Sequence, residues 1–345
     1  MIKYGENIID GIAERLGSFI VTTMEVPWNL VKDRMGGTPL KCVFVETMER
    51  SKLEELRKTL PQSDAVVGIG GGASIDTAKY IAWKSGARLV TIPTIISADV
   101  VVTKEVGVRD GGKVHYIGNK PADEILVDYS IIRDAPKELN RAGAEDILSI
   151  YTALFDWRLA SERGLERFDE GIAKEAEACL HRLEKNANEI WEVTETGIKT
   201  LMELYLKETE LCQRFGSSRP EEGSEHFFAY NLEYLTRKHY LHGPIIGLGI
   251  FLMSCLQDNR QDGIAGLMDK IGLEYRPGRI NVAHSEIKET LATLKKYVKE
   301  DKLPFTVIDE ADLSDNAINN LYRQLTYHSN RRKEKVGDWN GRGNI

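Results

Sequence analysis

Short apolar runs rich in valine and isoleucine alternate with helical patterns through the first third of the chain. SFIVTT from Ser18, KCVFVE from Lys41, DAVVGIG from Asp64, ARLVTIP from Ala87 and EILVDYS from Glu124 each read as a buried strand. SKLEELRKTL from Ser51 and SIDTAKYIAWKSG from Ser74 read as helices between them. Strands that alternate with helices build a parallel sheet whose two faces are covered. One stretch, Val100 to Gly118, breaks the rhythm and predicts an antiparallel hairpin around Asp110-Gly111-Gly112.

After Pro136 the strand signals nearly vanish. Long amphipathic segments follow, beginning at Ala144, Glu170 and Thr196, with a further apolar run near Gly249. The fold expected is a Rossmann-like α/β nucleotide-binding domain carrying an inserted hairpin, over 1–135, joined to an all-helical domain over 136–345. A ligand site is expected between two such domains.

GIGGGASIDTAK, Gly68 to Lys79, links a predicted strand to a predicted helix. Successive glycines admit a phosphate close to the backbone, and unpaired N–H groups at a helix start favour an anion. Ser74 adds a hydroxyl that can also cap the helix. The run resembles a dinucleotide fingerprint, yet it follows the third predicted strand, and no acid about 20 residues on ends a next strand. A tight structural turn is the other reading. Glu25, just after the first of these strands, can accept hydrogen bonds from a ribose diol, which would favour NAD over NADP; a plain surface glutamate is the alternative.

Of 7 histidines, His226 and His242 differ from the rest. His226 heads an apolar helical pattern, and His242 stands immediately before a glycine and another apolar run. They are too far apart for one helix face, so successive helices would carry them. Asp146, at the start of a helical segment, offers a carboxylate, and its neighbour Glu145 competes with it. One carboxylate and two imidazoles leave an open position on Zn²⁺ or Fe²⁺. The bland readings are an acid at a helix N-terminus and two structural histidines.

Composition narrows the function classes. A net charge of −7 argues against a nucleic-acid or anionic-membrane partner. The basic cluster Arg331, Arg332, Lys333 and Lys335 reads as a solvated tail. The first residues lack the apolar stretch of a signal peptide, and no run of about 18 apolar residues occurs, so no membrane insertion is expected. The 4 cysteines are scattered without a CxxC pair, which fits reduced thiols in the cytoplasm. A small-molecule substrate is the expected partner, and the long helical surface is compatible with a homo-oligomer.

Taken together, these motifs resemble the iron-containing alcohol dehydrogenase superfamily, which includes glycerol dehydrogenases and dehydroquinate synthases, and within it the glycerol-1-phosphate dehydrogenases. The resemblance runs from about Ser18 to about Cys255. GIGGGASIDTAKYIA looks like the family's GGGSxxDxAK turn, and IPTIISAD like its PTxxSxD segment. RAGAEDILSIYTALFDWRLA looks like its DWxLA helix. GSSRPEEGSEHFF and LHGPIIGLG look like its SSRPxSGSEH and LHGxxxGxG motifs.

The resemblance implies that Asp146, His226 and His242 bind one divalent metal, zinc rather than iron. It implies that Gly70, Gly71, Gly72, Ser74 and Asp76 frame the phosphates of NAD or NADP, that Thr91 and Thr94 line the nicotinamide side, and that Asp99 faces the substrate. The implied reaction is reduction of dihydroxyacetone phosphate to sn-glycerol-1-phosphate, a step in archaeal-type phospholipid synthesis. Arg219 and Lys120 are candidate phosphate ligands and His239 a candidate proton relay, each with a surface role as the alternative.

The chain departs from the family pattern in two places. Ser97-Ala98-Asp99-Val100 stands where the glycerol-phosphate branch usually has SHDG, and Glu221-Glu222 stand in SRPxSG where small residues are usual. These changes leave open a polyol or alcohol dehydrogenase with an unphosphorylated substrate. A lyase like dehydroquinate synthase is disfavoured by Lys79, where that branch has glycine in its turn.

Overall fold

The computed structural model describes residues 1–339. The side chains of the basic cluster at 331–335 lie outside the described residues. Among the described residues there are eight strands: β1 (Ile2–Gly5), β2 (Phe19–Thr23), β3 (Lys41–Phe44), β4 (Ala65–Gly70), β5 (Arg88–Pro93), β6 (Glu105–Asp110), β7 (Lys113–Asn119) and β8 (Glu124–Asp128). Early helices are α1 (Glu25–Val31), α2 (Arg50–Thr59), α3 (Gly72–Ser85), α4 (Tyr129–Asp134) and α5 (Lys137–Ala142). Next come α6 (Glu145–Glu162), α7 (Glu170–Lys185), α8 (Ala187–Glu192), α9 (Glu195–Phe215), α10 (Ser224–Thr236) and α11 (His242–Leu256). The last are α12 (Gln261–Ile271), α13 (His284–Glu300), α14 (Val307–Glu310) and α15 (Asp315–Trp339).

The chain divides into two compact units, Met1–Ile147 with Arg182–Glu210, and Leu148–His181 with the chain from Leu211 onward. No single cut at 135/136 describes this division. The first boundary falls inside one continuous helix, α6, and most of α9 sits with the first unit. The reason is local: Tyr205 on α9 is fully buried and donates its hydroxyl to the Gly143 carbonyl at 2.5 Å. Arg141 likewise donates Nε–H to the Trp191 carbonyl at 2.7 Å.

In the first unit, six parallel strands run in the order β1-β8-β5-β4-β2-β3. Period-2 alternation sends neighbouring residues to opposite cores. Val67, Val90 and Leu126 pack with Ile9, Ile12 and Val31 on one face. Val66 and Leu89 pack with Ala78, Ile81 and the hairpin residue Val106 on the other. β4, third among the strands read from sequence, lies in the middle of the sheet. The connection from β2 leads outward to β3, while β5, β8 and β1 lie on the other side, so the β4–α3 turn sits where the strand order reverses. Open α/β sheets bind ligands at that place.

β6 and β7 form a separate antiparallel pair, with Val108 opposite His115 and Asp110 opposite Lys113. Gly111 and Gly112 both have positive φ, which suits the twist of a two-residue hairpin turn. Sequence reading missed β1, whose four residues pair with Ile125–Asp128 of β8.

In the second unit, α10 packs on α11 and α13, and α11 packs also on α12 and α15. α11 is buried from Gly243 almost without interruption to Ser254, except at Pro244, as its lack of polar residues requires. The expected single helix after Glu170 is broken at Asn186 into α7 and α8. Among the described residues no helix is long and apolar enough to cross a membrane.

A candidate metal centre and dinucleotide turn

The glycine turn starts with the last residue of β4. Gly70 has φ 135°, a conformation that L side chains rarely adopt, and a Cβ there would meet Ser74 Oγ at 2.9 Å. The Thr94 N–H donates to the Gly70 carbonyl at 3.1 Å, which ties the turn to the end of β5. Gly71 is the N-cap of α3, and no side chain caps the helix. At Gly72 an added Cβ would meet only Val100 Cγ1, at 3.7 Å. Ser74 Oγ and Thr91 Oγ1 are buried with no hydrogen-bond partner. Open space, a helix N-terminus and two orphaned hydroxyls fit the phosphates and polar edge of a dinucleotide.

The other residues singled out from sequence near this turn have different settings. Glu25 is exposed, in the first turn of α1 just past β2. Thr94 is buried at the C-terminal end of β5. Asp76 directs its carboxylate at the hairpin, where Oδ1 accepts the Gly107 N–H at 3.4 Å and lies 3.4 Å from Lys79 Nζ.

Three helices carry the proposed metal ligands. Asp146 stands in the first turn of α6, His226 in the first turn of α10, and His242 begins α11. Each offers one ligand atom, and the three atoms lie within 4.8 Å of one another. The two imidazole centroids are 5.5 Å apart. Asp146 and His226 are buried and His242 is half-buried. Asp99 is half-buried, and its N–H donates to Asp146 Oδ2 at 2.7 Å.

Of the two acids that open α6, Asp146 has the carboxylate oxygen grouped with the two histidines. Glu145 is fully buried, and burial, reinforced by the neighbouring Asp146 charge, holds its carboxyl well above the usual range. Burial also pushes the Tyr205 phenol well above its ordinary value, with Asp146, Glu145, Glu208 and Asp99 all adding to the rise.

Sequence reasoning missed the residues that hold this centre in place. Asp156, on α6, accepts the N–H of Ser224 with Oδ2 and the N–H of Val307 with Oδ1, each at 2.8 Å. It thereby satisfies the starts of α10 and α14. Burial, helped by the nearby Glu225 charge, raises its carboxyl to about 6. Gly249 lets α11 lie directly on α10, because a Cβ there would stand 2.5 Å from the Glu225 carbonyl oxygen. The only sequence signal for these roles was their place inside the DWxLA, GSEH and LHGxxxGxG motifs.

The candidate phosphate ligands are engaged elsewhere. Arg219 is 1% exposed, and its guanidinium donates to Glu166 and to the Phe305 carbonyl, both at 2.6 Å. Lys120 pairs with Asp123 at 3.4 Å. His239 lies exposed on the stretch between α10 and α11.

Residues 21–136 match the iron-containing alcohol dehydrogenase family. The chain is 32% identical over 280 residues to the glycerol-1-phosphate dehydrogenase (NAD(P)+) of Aeropyrum pernix, covering 81% of this chain and 78% of that protein. It is 27% identical over 344 residues to the enzyme of the same name from Sulfurisphaera tokodaii, covering 94% and 95%. Among solved structures, a probable glycerol dehydrogenase from Sinorhizobium meliloti superposes with a TM-score of 0.71 at 19% identity, over 96% of this chain and 97% of that one. Glycerol dehydrogenase from Schizosaccharomyces pombe gives the same TM-score at 18% identity, over 97% and 91%. These two likenesses speak for the fold, and the sequence relatives speak for descent: the chain belongs to the glycerol-1-phosphate dehydrogenases, within the iron-containing alcohol dehydrogenases.

Proposed function

We propose that this chain reduces dihydroxyacetone phosphate to sn-glycerol-1-phosphate with NADH or NADPH, and that it does so in the cytoplasm. The observation that carries the reading is the convergence of Asp146, His226 and His242 ligand atoms within 4.8 Å. One carboxylate and two neutral imidazoles suit zinc better than iron as a non-redox Lewis acid. A divalent metal held there would polarise a ketone oxygen and stabilise the alkoxide formed on reduction. The nicotinamide would supply the hydride.

The chain's own residues supply position. Gly70, Gly71 and Gly72 would cradle the pyrophosphate against the start of α3, with Ser74 Oγ as a further donor. Thr91 and Thr94 would line the nicotinamide side, and Glu25 would receive the adenosine ribose. Asp99, whose backbone N–H orients Asp146, would hold a substrate hydroxyl. Asp76 would act from behind, keeping α3 on the hairpin.

A second reading, an unphosphorylated polyol substrate, is favoured by one observation. Both cations that the sequence offered for phosphate, Arg219 and Lys120, are already paired with carboxylates. The test is NADH oxidation by zinc-loaded protein with dihydroxyacetone phosphate and with dihydroxyacetone, each with and without a chelator. Chelator-sensitive turnover of the phosphate ester alone supports the first reading. Turnover of dihydroxyacetone alone transfers the function to the second.

A further inference from the structure

The His226 ring meets a carboxylate at one of its two nitrogens. Its Nδ1 lies 2.9 Å from Oε1 of Glu225, the preceding residue. Glu225 is fully buried, and each of its oxygens has another donor. Oε1 accepts the Gly223 N–H at 2.6 Å, and Oε2 accepts the Thr152 hydroxyl at 2.7 Å. Both oxygens of Glu225 thus serve as acceptors, and an acceptor facing the ring places the proton between the two residues on Nδ1. That leaves the Nε2 lone pair as the ligand.

We propose that Glu225 is a positioning residue for the metal centre, fixing the tautomer and ring orientation of His226 and raising the basicity of Nε2. The inference rests on the metal reading above. Thr152 belongs to α6, which also carries Asp146, and the backbone of Glu225 is the surface on which Gly249 of α11 lies. Glu225 is therefore held by the helices of the other two ligands as well as its own. Carboxylates that receive the second ring N–H of a ligating histidine orient it and increase its donor strength.

A helix-capping role alone would also explain the bond to Gly223, so the test must separate the two. Metal-free wild type, Glu225→Gln, Thr152→Val and His226→Ala are titrated with Zn²⁺ against a chromophoric chelator, and their metal-free melting points are recorded. Glutamine keeps an acceptor for Nδ1–H and removes the carboxylate. Glu225→Gln is expected to weaken Zn²⁺ affinity by about 10- to 100-fold with its metal-free melting point held near wild type, and Thr152→Val to weaken it less. The ¹⁵N spectrum of metal-free wild type, assigned by the loss of one ring in His226→Ala, is expected to show the Nδ1–H tautomer. Wild-type affinity in Glu225→Gln beside lost affinity in His226→Ala overturns the proposal. So does an Nε2–H tautomer in wild type, which decides the matter even where the glutamine variant does not fold. Undiminished affinity in His226→Ala instead overturns the metal reading beneath it.

Discussion

Lys79 Nζ and the Asp76 carboxylate stand 3.4 Å apart on one turn of α3, and both heads leave their helix for the hairpin. Lys79, 1% exposed, donates to Thr103 Oγ1 and to the Glu105 carbonyl, each at 3.1 Å, while Asp76 receives the Gly107 N–H. The hairpin is thus pinned through an ion pair whose lysine is buried and whose acid is half-buried, and removing one partner leaves the other without its counter-charge. Lys79→Met is expected to cost about 3 kcal/mol and to speed amide exchange in β6 before the central sheet. Unchanged melting and unchanged exchange at Gly107 would remove the pair from the hairpin's support.

Asp146→Ala, His226→Ala and His242→Ala are each expected to lose bound metal and turnover together. After dialysis against a weak chelator, metal content measured by emission spectroscopy should fall to near background in all three. A variant that keeps the full metal content takes its residue out of the ligand set.

The two glycines at the start of α3 should respond differently to one methyl group. Gly70→Ala places a side chain at φ 135°, at an expected cost of about 1–3 kcal/mol. Gly72→Ala meets nothing closer than 3.7 Å, so its melting point should match wild type while the methyl occupies the space left for a phosphate. Its KM for NADH is expected to rise at least tenfold by order of magnitude with little change in kcat. A normal KM would place the pyrophosphate elsewhere.

Glu25→Ser should ease the repulsion of a 2′-phosphate at the end of β2. The ratio of kcat/KM for NADPH to that for NADH is expected to rise about tenfold. An unchanged ratio would make Glu25 a plain surface residue.

Asp128 gives the fold a defined acid weakness. Burial pushes its carboxyl up, but Ser130, the Arg34 guanidinium and the N–H groups of Asn7 and Ile9 together hold it below the usual carboxylate value. A carboxyl depressed in the folded state stabilises at pH above its unfolded value of about 4, and that contribution fades as pH falls through the folded value. Asp128→Asn should therefore lower the urea midpoint at pH 7 and differ little from wild type near pH 2. An equal deficit at both pH values would assign the loss to hydrogen bonding alone.

How much of this was legible depends on the range of the interaction. β2, β3, β4, β5 and β8 announce themselves because each is a local apolar run, and the Gly111-Gly112 turn is written in two adjacent residues. β1 is not legible: IKYG acquires strand geometry only from Ile125–Asp128, far along the chain. Residue type and position offered Asp146, His226 and His242 as candidates, and motif resemblance joined them into one set, since spacing alone could not choose Asp146 over Glu145. The folded chain brings the Asp146 carboxylate, and not that of Glu145, into the group with the histidines. Arg219 looked like a phosphate ligand because sequence cannot reveal that Glu166 and Phe305 already receive its guanidinium. Glu225 read as part of a motif, and its task emerged once Thr152 and His226 were seen on either side of its carboxylate.

Helix α6 acts as a ruler. It carries Asp146, then Thr152 against Glu225, then Asp156 at the start of α10, with no loop between them to absorb an error. Inserting or deleting one residue in that span would turn everything beyond it by about 100°. The metal ligand and the two residues that seat the histidine helix would then no longer face their partners together. Length change is therefore forbidden between Asp146 and Asp156, and variation there must proceed by substitution alone.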